Sequence, residues 1–283
     1  MKHLILCTGA LLLAPAAAHA DDIFEAECEY EAPRDTTLDL AGIKTLVVDG
    51  GAHTVHLVAS GSGDGRVEAR ACAAAEKDLD RLQIHQERRG ERLIVRPQRG
   101  DGDDSAIVTR LFGSDYAYIE MRAAIPDDLA VEMKVGSGDG LVHGAASLEA
   151  NVGSGDLVVE QLGGPLEATV GSGDLDASDI GALDLGAVGS GDAEVTGIDG
   201  DARIGSVGSG DATLREVKRN VDIGSIGSGD VELSGVGGNV EAGAIGSGDL
   251  RVESVGGNLR VRTLGSGDVR HSGVGGQVDV PED

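Results

Sequence analysis

Gly-Ser-Gly-Asp recurs at 136–139, 153–156, 171–174, 189–192, 208–211, 227–230, 246–249 and 265–268, and a tandem repeat this regular leaves few architectures open. Its aspartates are spaced 17, 18, 18, 19, 19, 19 and 19 residues apart, while a further copy at 61–64 stands outside the period. The unit from 246 reads GSGDLRVESVGGNLRVRTL. Leu250 and Val252 alternate with Arg251 and Glu253, which is the period of a strand with one buried face. Val255 turns a corner into Gly256-Gly257-Asn258, after which Leu259 and Val261 alternate with Arg260 and Arg262. Each unit is thus two half-repeats, and the Asp249 slot recurs as Asn258. A helix is excluded, because glycines interrupt every few residues and the apolar period is two. The expected fold is all-β: a parallel β-solenoid of about eight 17–19-residue coils, rising about 4.8 Å per coil.

The same inward slots fill consistently. The position after the aspartate holds Leu157, Leu175, Ala193, Ala212, Val231, Leu250 and Val269. The position before the second corner holds Leu162, Ile180, Ile198, Val217, Val236, Val255 and Val274. His271 takes a slot that is elsewhere aliphatic and reads as a capping residue. All five aromatics lie before residue 120 and there is no Trp, so the repeats must fold on Val, Leu, Ile and Ala. A thin stacked core can do that, whereas a compact globular one normally uses large rings.

Three segments follow from this. Residues 1–20 read as a cleaved secretory signal, with Lys2 and His3, an apolar run from Leu4 to Leu13, and Ala18-His19-Ala20 before Asp21. Residues 21–135 read as an N-terminal β region that caps the solenoid, with strands at 45–48, 54–58, 92–95, 117–121 and 129–133. Between them Ala73 to Leu82 reads as a short helix or a loop. Residues 136–283 are the repeat rod. Loss of the signal, with its Lys2, takes the formal charge from −26 to −27, which opposes binding to nucleic acid or anionic lipid. No segment after the signal has the length and apolarity of a transmembrane helix. Cys28 and Cys72 remain. In an oxidising compartment they form one disulfide, or else stay as two buried thiols.

The serial Gly-Ser-Gly-Asp-apolar-x-apolar coils resemble a bacterial family of exported β-strand-repeat proteins known by the label "putative adhesin". That family is a domain of unknown function related to the head domain of auto-transporter adhesins. Tyr118-Ile119-Glu120-Met121 through Ile125-Pro126, leading into Val131-Glu132-Met133-Lys134-Val135-Gly136, carries the likeness further, so that it covers roughly 40–283. The resemblance implies the solenoid fold and a periplasmic, extracellular or cell-surface location. It implies an adhesin-like binding or structural role toward an envelope protein or glycan.

The aspartate column is where chemistry would lie. Eight carboxylates at about 4.8 Å repel by roughly 1 kcal/mol per neighbouring pair even in water. One offset is local: each Asp accepts backbone N–H groups in a turn whose glycines permit the necessary φ angles. The other is calcium held between coils by Asp139, Asp156, Asp174, Asp192, Asp211, Asp230, Asp249 and Asp268. Calcium-binding Gly-Gly-x-Gly-x-Asp nonapeptides space the aspartate differently, and Asn220, Asn239 and Asn258 at the other corner argue for an acceptor rather than a charge. Calcium is thus the single cofactor in question. His53 and His56 point to opposite faces, His85 and His143 stand alone, and Asp101-Gly102-Asp103-Asp104 lacks the spacing of an EF-hand. Ser-Gly-Asp has no histidine at a fixed offset, and no lysine and helix follow the glycines as a phosphate cradle requires. Polysaccharide-active β-helix enzymes build clefts from long loops and aromatic platforms, which these uniform coils lack. No catalytic residue is expected, and the protein is read as a non-enzyme.

Overall fold

The computed structural model describes residues 27–100 and 116–281, so the expected signal segment and Asp101–Asp104 lie outside it. The chain is a parallel β-solenoid of two facing sheets, 13 and 12 strands wide. In the repeat rod each Gly-Ser-Gly-Asp leads into a strand of the first sheet, such as Leu250–Val255. The second corner then leads into a strand of the second sheet, such as Leu259–Leu264. Successive coils pair parallel and in register, Leu250 on Val231 and Leu259 on Val240. Alternation places Leu157, Leu175, Ala193, Ala212, Val231 and Leu250 between the sheets, each at most 2% exposed. Burial lapses only where the coils stop: Val269 and Val274 are half-buried, and His271 is exposed.

The N-terminal half builds the same two sheets in a different chain order. Thr45–Gly51 and Thr54–Ala59 form one complete coil. The chain then runs outward through Arg66–Ala73 and Leu82–Arg89 and returns as Arg92–Arg99 and Ala117–Ile125. These last two strands stack on one side of the 45–59 coil. Ala130–Val135 and Gly140–His143 stack on its other side. The 45–59 coil is therefore sandwiched between two coils that follow it in sequence, and both sheets run unbroken past residue 135. Antiparallel strands close this end: Arg66–Ala73 on Ala117–Ile125, Leu82–Arg89 on Arg92–Arg99, and Tyr30–Pro33 on Arg66–Ala73. Cys28 is bonded to Cys72, with Cα atoms 5.5 Å apart. The 73–82 segment holds a single helical turn, Glu76–Leu79. The isolated Gly-Ser-Gly-Asp at 61–64 follows a strand of the first sheet, at the opposite corner from the others, and leads into the antiparallel strand at 66–73.

The glycines of the repeat act differently from the sequence expectation. None of the Gly-Ser-Gly-Asp glycines takes a positive φ. A Cβ on Gly191 would fall well inside contact with the carbonyl oxygen of Gly173, and the same holds for Gly155, Gly173, Gly210, Gly229, Gly248 and Gly267 against the coil before each. The third residue of the motif is glycine because backbone packs on backbone there, not because of its dihedral freedom. Left-handed conformation occurs five residues after each aspartate, at Gly144, Gln161, Asp179, Gly197, Glu216, Gly235, Ser254 and Gly273, with φ from 54 to 77°. This column kinks the first-sheet strand before the second corner in all eight coils.

The drift in repeat length has two local causes. Gly144 and Asp179 reach the next buried leucine, Leu148 and Leu183, one residue sooner than Gln161 reaches Leu166 or Gly197 reaches Ala202. In the second sheet, register shifts after Ala168, where Gly186 bulges out of the pairing, and Gly205 and Gly224 continue that bulge in later coils. A coil with neither extra residue has 17, one with either has 18, and one with both has 19.

Two substitutions separate these roles by urea unfolding of the mature chain. Gly191→Ala is expected to lose about 3 kcal/mol or more, because a Cβ must displace backbone. Glu216→Gly is expected to gain about 1 kcal/mol by removing a side chain from a left-handed position.

Candidate functional site

The first corner places the eight aspartates in one column along the rod. Oδ1 of each accepts the backbone N–H of the aspartate one coil later: Asp139 from Asp156 at 3.3 Å, Asp156 from Asp174 at 3.2 Å, Asp174 from Asp192 at 2.9 Å. The series continues through Asp192, Asp211, Asp230 and Asp249 at 2.8–2.9 Å, ending on the N–H of Asp268. Arg270 closes the column, donating to Asp249 at 2.9 Å and to Asp268 at 2.8 Å. The N–H of Asp268 and the nearby Arg270 hold the Asp249 carboxyl below the usual aspartate range.

The second corner carries the same device without most of the charge. Asp201 accepts the backbone N–H of Asn220 at 3.1 Å, Asn220 that of Asn239 at 2.9 Å, Asn239 that of Asn258 at 2.9 Å, and Asn258 that of Gln277 at 2.7 Å. Asp201 is likewise held low, first by the Asn220 backbone N–H and then by its side-chain amide. An amide oxygen serves in this slot as well as a carboxylate, so the geometry asks for an acceptor. Among the described residues no three His, Cys, Asp or Glu side chains gather in a way that could hold a metal ion.

The histidines are dispersed. His143 Nδ1 lies 3.2 Å from Glu160, and His85 and His271 are exposed. His53 is 7% exposed and accepts the N–H of Ile119 on Nδ1 at 3.0 Å. Burial lowers its pKa below the ordinary histidine value. His56 is also lowered, by burial and then by Arg122, against an opposing pull from Asp139.

A feature that the repeat pattern does not announce lies on the outer face of the second sheet. Parallel register stacks Glu132, Glu149, Glu167 and Asp184 in one row along a shallow groove, and Val47 and Ile94 continue that row beyond Glu132. Arg92 bridges Glu132 at 2.5 Å. Lys134 is followed by no further Lys or Arg until Arg203, and that absence is the sequence signal for this acidic belt. Beyond the belt the outer faces carry both signs, with Arg215 paired to Glu194 and Arg262 to Glu241.

No protein-family model matches the chain, and no curated protein matches it. Among solved structures it is similar to a "putative adhesin" from Bacteroides fragilis NCTC 9343, at 13% identity and TM-score 0.30, over 89% of this chain and 98% of that one. It is also similar to a "putative lipid binding protein" from Parabacteroides distasonis ATCC 8503, at 14% identity and TM-score 0.36, over 88% and 97%. A third is a "putative adhesin" from Parabacteroides merdae ATCC 43184, at 12% identity and TM-score 0.34, over 89% and 97%. At this distance none of them says what this chain binds.

The acceptor role is tested by replacing one rung. Asp211→Asn should leave stability within a few tenths of a kcal/mol, because the amide oxygen still accepts the Asp230 N–H. Asp211→Ala should cost about 1 kcal/mol in urea unfolding.

Proposed function

We propose that this chain is an exported, non-enzymatic β-solenoid that serves as an adhesin-like binding or structural module of the bacterial envelope. The observation that carries this reading is the uniformity of the rod. Its coils differ by at most two residues, acceptor ladders run along the whole first corner and along the second from Asp201 onward, and no loop rises between its strands to wall a cleft. Such a surface recognises a partner across a sheet face or at the N-terminal cap. It does not enclose a small substrate. No helix among the described residues is long and apolar enough to cross a membrane, which fits an export product that meets its partner after leaving the cytoplasm.

The partner is an envelope protein or a glycan. Immobilised mature protein is expected to retain a saturable partner from envelope extract or a glycan panel, and to release no reducing ends from polysaccharides. Turnover of any polysaccharide, or no retention from either source, would contradict the reading. The competing reading is a calcium-stiffened solenoid, for which the second oxygen of most rungs is the available ligand. On the acceptor account, thermal melting with millimolar calcium and with chelator should coincide, and calorimetric titration should show no heat. A calcium-dependent rise in Tm would favour the competitor.

A further inference from the structure

We propose that His53 is an acid-sensitive joint between the N-terminal cap and the repeat rod. Register places Val55 opposite Gly140, and so sets His53 opposite Gly138, the second glycine of the motif. In later coils that position has no room for a side chain, because the previous coil's carbonyl occupies the space. His53 escapes this rule because of the coil on its other side. There the His53 ring reaches Ile119 on Ala117–Ile125, the strand that pairs with Thr54–Ala59. The imidazole is buried at this corner, with Nδ1 accepting the Ile119 N–H. That bond requires a ring nitrogen without a proton. Protonation turns the acceptor into a donor facing a donor, inside a site that excludes water.

The location gives the bond leverage. In both sheets the cap reaches the rod through the 45–59 coil, by Arg92–Arg99 on Thr45–Gly51 and by Ala117–Ile125 on Thr54–Ala59. His53 sits at the open end of the second pairing, so losing its bond frays that pairing from the corner inward. Among the described residues the charged groups around it are few. His56 lies on its own strand with Asp139 near it on the next coil. Arg122 and Glu120 lie on Ala117–Ile125, and Glu120 is neutralised by Arg70 of Arg66–Ala73 at 2.6 Å. Burial depresses the His53 pKa, so the unfolded corner binds a proton that the folded one refuses. The joint is fully formed above the unfolded value of 6.5 and weakens as pH falls below it, by up to tenfold per pH unit, until the folded pKa is reached.

Hydrogen exchange of 117–125, referenced to Val231–Val236 in the same sample, tests this between pH 7.5 and 5. The wild type should lose protection in 117–125 by roughly tenfold per pH unit below about 6.5, while the reference strand holds. His53→Asn places an amide oxygen near the Nδ1 position and cannot titrate, so it should abolish the acid loss. An equal acid loss in His53→Asn, or none in the wild type, would overturn the proposal. An NMR titration of the unmutated chain supplies a second reading. The Ile119 amide shift should inflect at the same pH as the His53 ring, and an Ile119 amide that ignores the ring would also overturn it.

Discussion

At the first corner the second glycine of each motif lies against the carbonyl of its counterpart one coil earlier, with no space for a side chain between them. The rest of the rod depends on that contact. It brings the turn down to the strand spacing of about 4.8 Å, so that the corner rises no faster than the sheets it joins. Turn and sheet then share one pitch, and outside the bulge that starts at Gly186 paired residues stand directly over their equivalents. The acceptor ladders complete the arrangement. Each rung pairs a backbone N–H of the corner that lies outside the strand pairing of either sheet.

Exact stacking has an electrostatic consequence. Any outward residue choice is repeated at strand spacing, so like charges accumulate unless something answers them. At the corners the answer is the backbone: the carboxylates face N–H groups, and the parallel ladder of Asn220, Asn239 and Asn258 shows the same geometry without charge. On the later coils it is arginine, as in Arg262 with Glu241. Between Lys134 and Arg203 the sequence offers no Lys or Arg, and the outer face there carries a row of acids in register. The rod is therefore electrically uneven along its length although it is mechanically uniform.

The repeat coils were legible because period-two burial and a fixed motif act locally, within one coil and its copy. The inward columns and the acceptor role of the Asp and Asn slots follow from that alone. Three features were not legible. The sandwiched coil at 45–59 reverses chain order, which depends on long-range pairing with 92–99 and 130–135 that no local pattern encodes. The left-handed column is half glycine and half Gln161, Asp179, Glu216 and Ser254, so composition hides a conformation that geometry imposes. His53 read as an ordinary strand histidine, because only the stacking shows it standing in a glycine's place.

If shared pitch is what holds the rod together, whole coils are interchangeable units and fractions of coils are not. Deleting Val231–Asp249 removes one complete coil and joins Asp230 to Leu250, so every column closes again. The account predicts an unchanged far-UV spectrum, a cooperative melt, and a rod shortened by about one strand spacing, 4.8 Å, in small-angle scattering. Deleting 231–240 instead should break the register and lose the cooperative transition. Equal damage from both deletions would contradict it.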